Sequence, residues 1–302
     1  MADTAASPAV ADPLRPMSGR RTARGHLAEI GRYGELLHML VRKELTVRYK
    51  NSLLGFTWSM LQPLFYLVVY TAVFAILGAG FERFAVWILC GLLTWTLISS
   101  SLTTSTTSIT ANAALVGKVK FPRAVLPLAS VGAALVHFCL QFVALAAVLA
   151  ALRHPVDWSY VWLLPFALLT ALVVCCSCAL LLAAANVYAR DTAHLLDLLV
   201  LGWFWATPVL YHFGRAAEWL ESIGITPWVL YGNPATPVVI TFQRALYGRD
   251  FVGAGDSISL LPHHAPLWYL GVLGITIGLW TAVGWVALRV FDRAEVNLAE
   301  TL

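Results

Sequence analysis

Residues 84–117 read FAVWILCGLLTWTLISSSLTTSTTSITANAALVG, thirty-four positions without one charged side chain. An α-helix rises 1.5 Å per residue, so about 20 residues cross a hydrocarbon core of about 30 Å. This stretch is long enough to do so with residues to spare. Five more charge-free stretches surround it, at 53–80, 124–152, 158–189, 198–213 and 265–288. The pattern predicts an all-α integral membrane protein with six transmembrane helices. The stretch 198–213 is the shortest, and it spans only if its helix starts near His194, which puts Asp197 just inside the membrane edge.

The composition agrees. Of 302 residues, 59% are hydrophobic and 12% charged, about half the charge of a soluble chain, and the mean hydropathy is +0.75. A soluble enzyme, a disordered protein and a disulfide-stapled secreted domain are excluded. All five cysteines (Cys90, Cys139, Cys175, Cys176 and Cys178) fall in apolar runs without metal-site spacing to histidine and read as packing residues. Residues 1–29, rich in Ala, Pro and Arg, lack the apolar core of a signal peptide and read as a disordered cytoplasmic tail. Residues 30–302 form the membrane domain.

Six spans place both termini on one side, and lysine and arginine choose that side. Fifteen of the twenty cations fall with the termini, among them Arg42, Lys43, Arg48, Lys50, Lys118, Lys120, Arg123 and Arg190. Five fall opposite: Arg83, Arg153, Arg215, Arg244 and Arg249. The expectation is a multi-pass protein of the bacterial cytoplasmic membrane with both termini cytoplasmic.

Between the last two stretches, residues 214–264 are too apolar for a solvated loop. The pieces 219–223, 227–231 and 237–242 are each too short to cross, which suits interfacial helices or a re-entrant hairpin at the outer side, shielded by protein or a wet cavity. Trp203, Trp205, Tyr211, Trp219, Trp228 and Tyr231 crowd this side. They fit an interfacial aromatic belt, and aromatic faces also stack on sugar rings.

Before the first span, Tyr33, Leu36, Leu37, Leu40, Val41 and Val47 share one face at 100° per residue, with Arg42, Lys43 and Lys50 away from it. That is a basic amphipathic helix lying on the anionic cytoplasmic leaflet. Glu44 and Arg48, one turn apart on the apolar side, are placed to pair with each other.

Some chemistry is missing. No carboxylate lies deep in a span, which argues against ion-coupled transport, and no hydrolytic constellation gathers. A phosphate-cradling loop needs G-x-x-x-x-G-K-[ST]; Gly117-Lys118 has Asn112 where the first glycine belongs. The polar features inside the spans are milder. Ten of the twelve residues at 99–110 are Ser or Thr; they can bond helices together or line a wet passage. His137 and Gln141, one turn apart in the third span, read as a satisfied packing pair.

The stretch RKELTVRYKNSLLGFTW at 42–58, followed by Gln62-Pro63-Leu64, resembles the entry segment of bacterial ABC-2 type permeases that export O-antigen, capsule, teichoic acid and galactan-type polysaccharides. Lys118, Phe121-Pro122-Arg123 and Pro127 look like that family's first cytoplasmic loop. Tyr188-Ala189-Arg190-Asp191 and Asn233-Pro234 fall in the family's order. The resemblance implies six spans, a homodimer, and two copies of a separate nucleotide-binding ATPase, with ATP and Mg on that partner and no cofactor on this chain. It implies docking and coupling to the ATPase through Glu44, Arg48, Asn112, Lys118, Phe121, Pro122, Arg123, Arg190 and Asp191. Arg48, Lys50 and Lys120 would attract the anionic head group of a lipid-linked polysaccharide. The aromatics from Trp203 to Tyr231 would contact glycan or form the outer gate. Membrane lipid is an expected partner and nucleic acid is not. The competing readings are an ABC-2 permease for lipids or drugs, a scaffold that anchors an enzyme, and a polytopic membrane enzyme using Glu218, Glu221, Asp250, Asp256, His263 or His264.

Overall fold

The computed structural model describes residues 33–50, 52, 55, 57–76, 84–119, 121–248 and 260–301. The expected tail 1–29, Lys120, Asp250 and Asp256 lie outside them. Among the described residues all regular structure is helical. Helix α1 (Gly34–Tyr49) precedes α2 (Thr57–Ile76), and α3 (Phe84–Ala111) leads into the short α4 (Ala113–Lys118). Helix α5 (Val125–Ala151) passes through the single turn α6 (Trp158–Val161) into α7 (Leu164–Tyr188). Then come α8 (Asp191–Ala206), α9 (Phe213–Ser222), a 3-10 turn (Pro227–Gly232), α10 (Ala235–Leu246) and the long α11 (Pro266–Thr301).

Among the described residues, four segments are long and apolar enough to cross a membrane: α3, α5, α6 with α7, and Pro266–Phe291 of α11. Helix α2 is uncharged over its 20 residues. Helix α8 has 16, about 24 Å at the helical rise. The sequence puts this helix at 198–213; the structure starts it at Asp191 and ends it at Ala206. Thr207 is extended at φ −104°, ψ 135°, as expected of a residue before a proline, here Pro208.

Helix α3 is the centre, packed against α2, α5, α7, α8 and α10. Its hydroxyl residues are accommodated by bonding to carbonyls one turn back: Ser100 donates to Thr96 O at 2.6 Å and Thr106 to Leu102 O at 2.7 Å. Such back-bonding satisfies the hydroxyl proton locally. Helices α7 and α11 form the most extensive pair. Ser177 Oγ donates across it to Trp280 O at 2.8 Å, and a Cβ on Gly284 would stand 2.6 Å from Ser177 Oγ.

Helix α10 is buried along its whole length. Twelve residues are too few to cross, yet the helix penetrates the bundle. Phe242 meets Phe138, the midpoint of α5, edge-on at 5.8 Å, and Tyr247 meets Trp87 near the start of α3 at 5.4 Å. Gly91 makes the approach possible: a Cβ there would lie 3.0 Å from Val209 O and 3.1 Å from Gln243 Nε2. The same amide donates to Pro208 O and Val209 O, tying α10 to the turn that follows α8.

Candidate functional site

At the basic end of the bundle, α1 lies across α5. Leu40 joins Ile109, Val116, Phe121, Val125, Val187 and Phe291 in a second apolar core that draws together α1, α4, the following loop and the ends of α3, α5, α7 and α11. Tyr33, Leu36, Leu37 and Val41 pack on it as the periodicity predicts. Val47 does not: it is 63% exposed, because the last turn of α1 overhangs an open cleft. The expected Glu44–Arg48 pair is also absent, since Arg48 lies on the wall of that cleft while Glu44 stays half-buried on α1.

Asn112 joins three elements at this end. Its carbonyl accepts the N–H groups of Leu115 and Val116 that begin α4, and its amide donates to Ser108 O at 2.7 Å. Its Oδ1 accepts the Lys43 ammonium of α1. One buried side chain thus links α1, α3 and α4, and a charge-assisted bond of this kind is stronger than a neutral one. Phe121 is buried and anchors the loop, whereas Lys118 and Val119 face outward and Pro122 and Arg123 are half-exposed. Arg190 and Asp191 are exposed at the start of α8, where the Asp191 carboxylate complements the helix N-terminus. Lys50 is exposed beyond α1.

The cleft has a volume of about 570 Å³ and, among the described residues, is walled by α1, α2, α3, α5 and Val200 of α8. Arg48, Tyr49, Ser52 and Trp58 line one side, and Thr96, Ser99, Ser100 and Thr103 of α3 line another. The two readings of the hydroxyl row therefore divide by face: these four border the cleft, while Ser101, Ser105, Thr106 and Ser108 are buried among helices. His137 and Gln141 also line the cleft. They are satisfied by other elements: Tyr49 Oη shares a 2.9 Å hydrogen bond with His137 Nδ1, and Thr96 Oγ1 lies 3.1 Å from Gln141 Oε1. The cleft presents one cation, a band of hydroxyls and an indole. That combination suits a ligand with an anionic head, polar groups and an apolar portion.

At the opposite end, the six aromatics take different roles. Trp203 Nε1 donates to Asn233 Oδ1 at 2.7 Å and its ring stands edge-on to Trp95 at 6.0 Å. Asn233 also donates to Thr207 Oγ1 at 2.9 Å and accepts from Ala235 N–H at 3.0 Å, so it fastens the end of α8 to the start of α10. Tyr231 packs against Phe213 at 5.2 Å and Trp228 at 5.3 Å, and Trp268 of α11 joins them. Tyr211 donates to Trp205 O at 3.1 Å. Trp205, Trp219 and Trp228 are each at least 60% exposed. Trp268 and Trp95 escape a sequence reading because each sits inside a span and looks like ordinary apolar filling. Lys43 and Tyr49 escape because only their partners on α3 and α5 distinguish them.

Residues 35–247 match the model of the ABC-2 type transporter family, which makes the class that of a transport protein. The chain belongs to that family. Among curated relatives it is 27% identical over 274 residues to "O-antigen export system permease protein RfbA" of Klebsiella pneumoniae, covering 90% of this chain and 97% of the relative. A protein of the same name from Myxococcus xanthus is 29% identical over 275 residues, covering 91% and 98%.

Proposed function

We propose that the chain is the permease subunit of an ABC exporter that moves a lipid-linked, O-antigen-type cell-envelope polysaccharide outward across the bacterial cytoplasmic membrane. The observation that carries this reading is the similarity to O-antigen export permeases along nearly the whole length of both chains. Residues 30–302 act as one domain with six spans, α2 and α8 supplying the two beyond the four longest. Both termini are cytoplasmic, α1 lies at the interface, and α9 to α10 form the re-entrant outer gate. Two copies of the chain work with two copies of a separate nucleotide-binding ATPase, which holds ATP and Mg.

The mechanism follows from how the elements are joined. The ATPase docks against α1 and the loop carrying Lys118, Phe121, Pro122 and Arg123, with Arg190 and Asp191 as a further contact. Asn112, bonded to Lys43 and Ser108, passes a push on α1 or α4 to the foot of α3. Helix α3 in turn carries the seat of α10 at Gly91, so cytoplasmic closure and outer gating share one rigid element. The cleft beside Arg48 receives the anionic head group at the basic edge, where Lys50 and Lys120 add attraction.

Co-purification of the tagged protein from native membranes, with mass spectrometry of what accompanies it, tests the reading. An ABC ATPase near one-to-one with the permease is the expected result. Activity of the chain on a lipid-linked substrate in the absence of any ATPase would overturn it in favour of a membrane enzyme.

A further inference from the structure

The outer end of α10 holds a charge for which the exporter reading has no use. Arg244, in the last turn of that helix, is only 4% exposed. Among the described residues its Nε and Nη1 have no hydrogen-bond partner. The guanidinium instead lies over the ring of Tyr160, Cζ 4.7 Å from the centroid. An arginine does not escape burial by losing its proton, and an unpaired cation inside a protein is heavily penalised. The Tyr160 face and the carbonyl end of α10 both attract the cation. Neither supplies an acceptor in the guanidinium plane, where the donors point. Asp157, at the start of α6, has its carboxylate engaged by Ser159 N–H at 3.1 Å.

The cover over this charge is thin. Helix α6 is one turn long, and Tyr160 is its one buried residue. It is held by the Tyr160 hydroxyl, which donates to His264 O at 2.8 Å, and by Asp157 N–H, which reaches Ala245 O at 3.3 Å. Trp158, 79% exposed, marks the level: a tryptophan at the end of a spanning segment sits among lipid head groups. The anions available there are phosphates, whose several oxygens match a planar guanidinium.

We propose that Arg244 anchors a phosphate-binding site at the outer end of the bundle, opened when α6 lifts from α10. The site does not depend on which molecule is exported. The full-length protein in detergent, compared in sodium phosphate and in sodium chloride at equal ionic strength, tests it. Phosphate should raise the wild-type Tm by about 2–4 °C. Arg244→Met should abolish that increment, and Arg244→Lys, which keeps the charge without the planar fork, should retain less than half. An equal increment in wild type and Arg244→Met overturns the proposal. If the variants fail to fold, phenylglyoxal modification of the wild type serves. Phosphate should slow labelling of Arg244 at least threefold and leave the exposed Arg153 and Arg215 unchanged; uniform protection, or none, contradicts the site. Native mass spectrometry after exchange into phosphatidylglycerol nanodiscs separates the sources. Bound lipid lost in Arg244→Met identifies a lipid phosphate, and an increment confined to inorganic phosphate identifies a free one. A phosphate increment that persists in Arg244→Met alongside lipid retention by both proteins overturns either version.

Discussion

At the scale of single residues, two contacts join the elements through which the proposed coupling would run. Gly91 lets α10 sit against α3, with 3.0 Å between its would-be Cβ and Val209 O. A backbone carbonyl cannot swing aside like a side-chain tip, so Gly91→Ala is expected to destabilise by about 1–3 kcal/mol, as overpacking does. Denaturant unfolding of the purified protein measures it, and an unchanged midpoint would show that the seat is loose. Asn112 is the second. Asn112→Ala removes the Lys43 bond and leaves the end of α3 uncapped, a loss of about 1–3 kcal/mol for a buried, charge-assisted network. Stimulation of the partner ATPase should fall further than the loss of stability explains. Asn112→Asp, which keeps the acceptor for Lys43, should restore part of that stimulation.

At the scale of elements, α7 and α11 are held by a serine facing a glycine. Gly284→Ala drives a methyl onto Ser177 Oγ, 2.6 Å away, and should lower stability by about 1–3 kcal/mol. Adding Ser177→Ala removes the obstructing oxygen, and the double variant should regain most of the loss. A double-mutant cycle with no coupling would contradict this packing. At the basic end, the proposed docking surface predicts that Glu44→Lys and Arg123→Glu each uncouple ATPase stimulation while leaving the permease folded; unchanged stimulation in both would remove that surface. The sequence made the long elements legible because lipid excludes charge, so α3, α5, α7 and α11 stand out as uninterrupted apolar runs. It did not show α10 as a buried helix. Thr236, Gln243 and Arg244 dilute its apolar character, and its burial is imposed by α3 and α7 rather than by its own composition. Nor did helical phase alone place Val47, since the face it shares with Leu40 outruns the α5 surface that covers it.

At the scale of the molecule, the polar surfaces form two ends joined by α3: a basic end with the cleft at Arg48, and an aromatic end with the seat of α10. The residues of the first end were legible through their resemblance to ABC-2 permease motifs, but their grouping around Asn112 depends on a contact between positions 69 apart. Orientation is checked by cysteine labelling. Lys118→Cys should react with an impermeant maleimide only after the membrane is opened, and Glu221→Cys should react in intact cells; the opposite pattern would invert the topology. Export of a lipid-linked polysaccharide is tested by following the polymer itself. Cells depleted of this protein are converted to spheroplasts and probed with a lectin for the polysaccharide, before and after lysis. Export by this chain predicts lectin signal only after lysis in depleted cells, on polymer of normal length still attached to its lipid. Undiminished surface signal in depleted cells, or a change in the polymer's composition without retention inside, would contradict it.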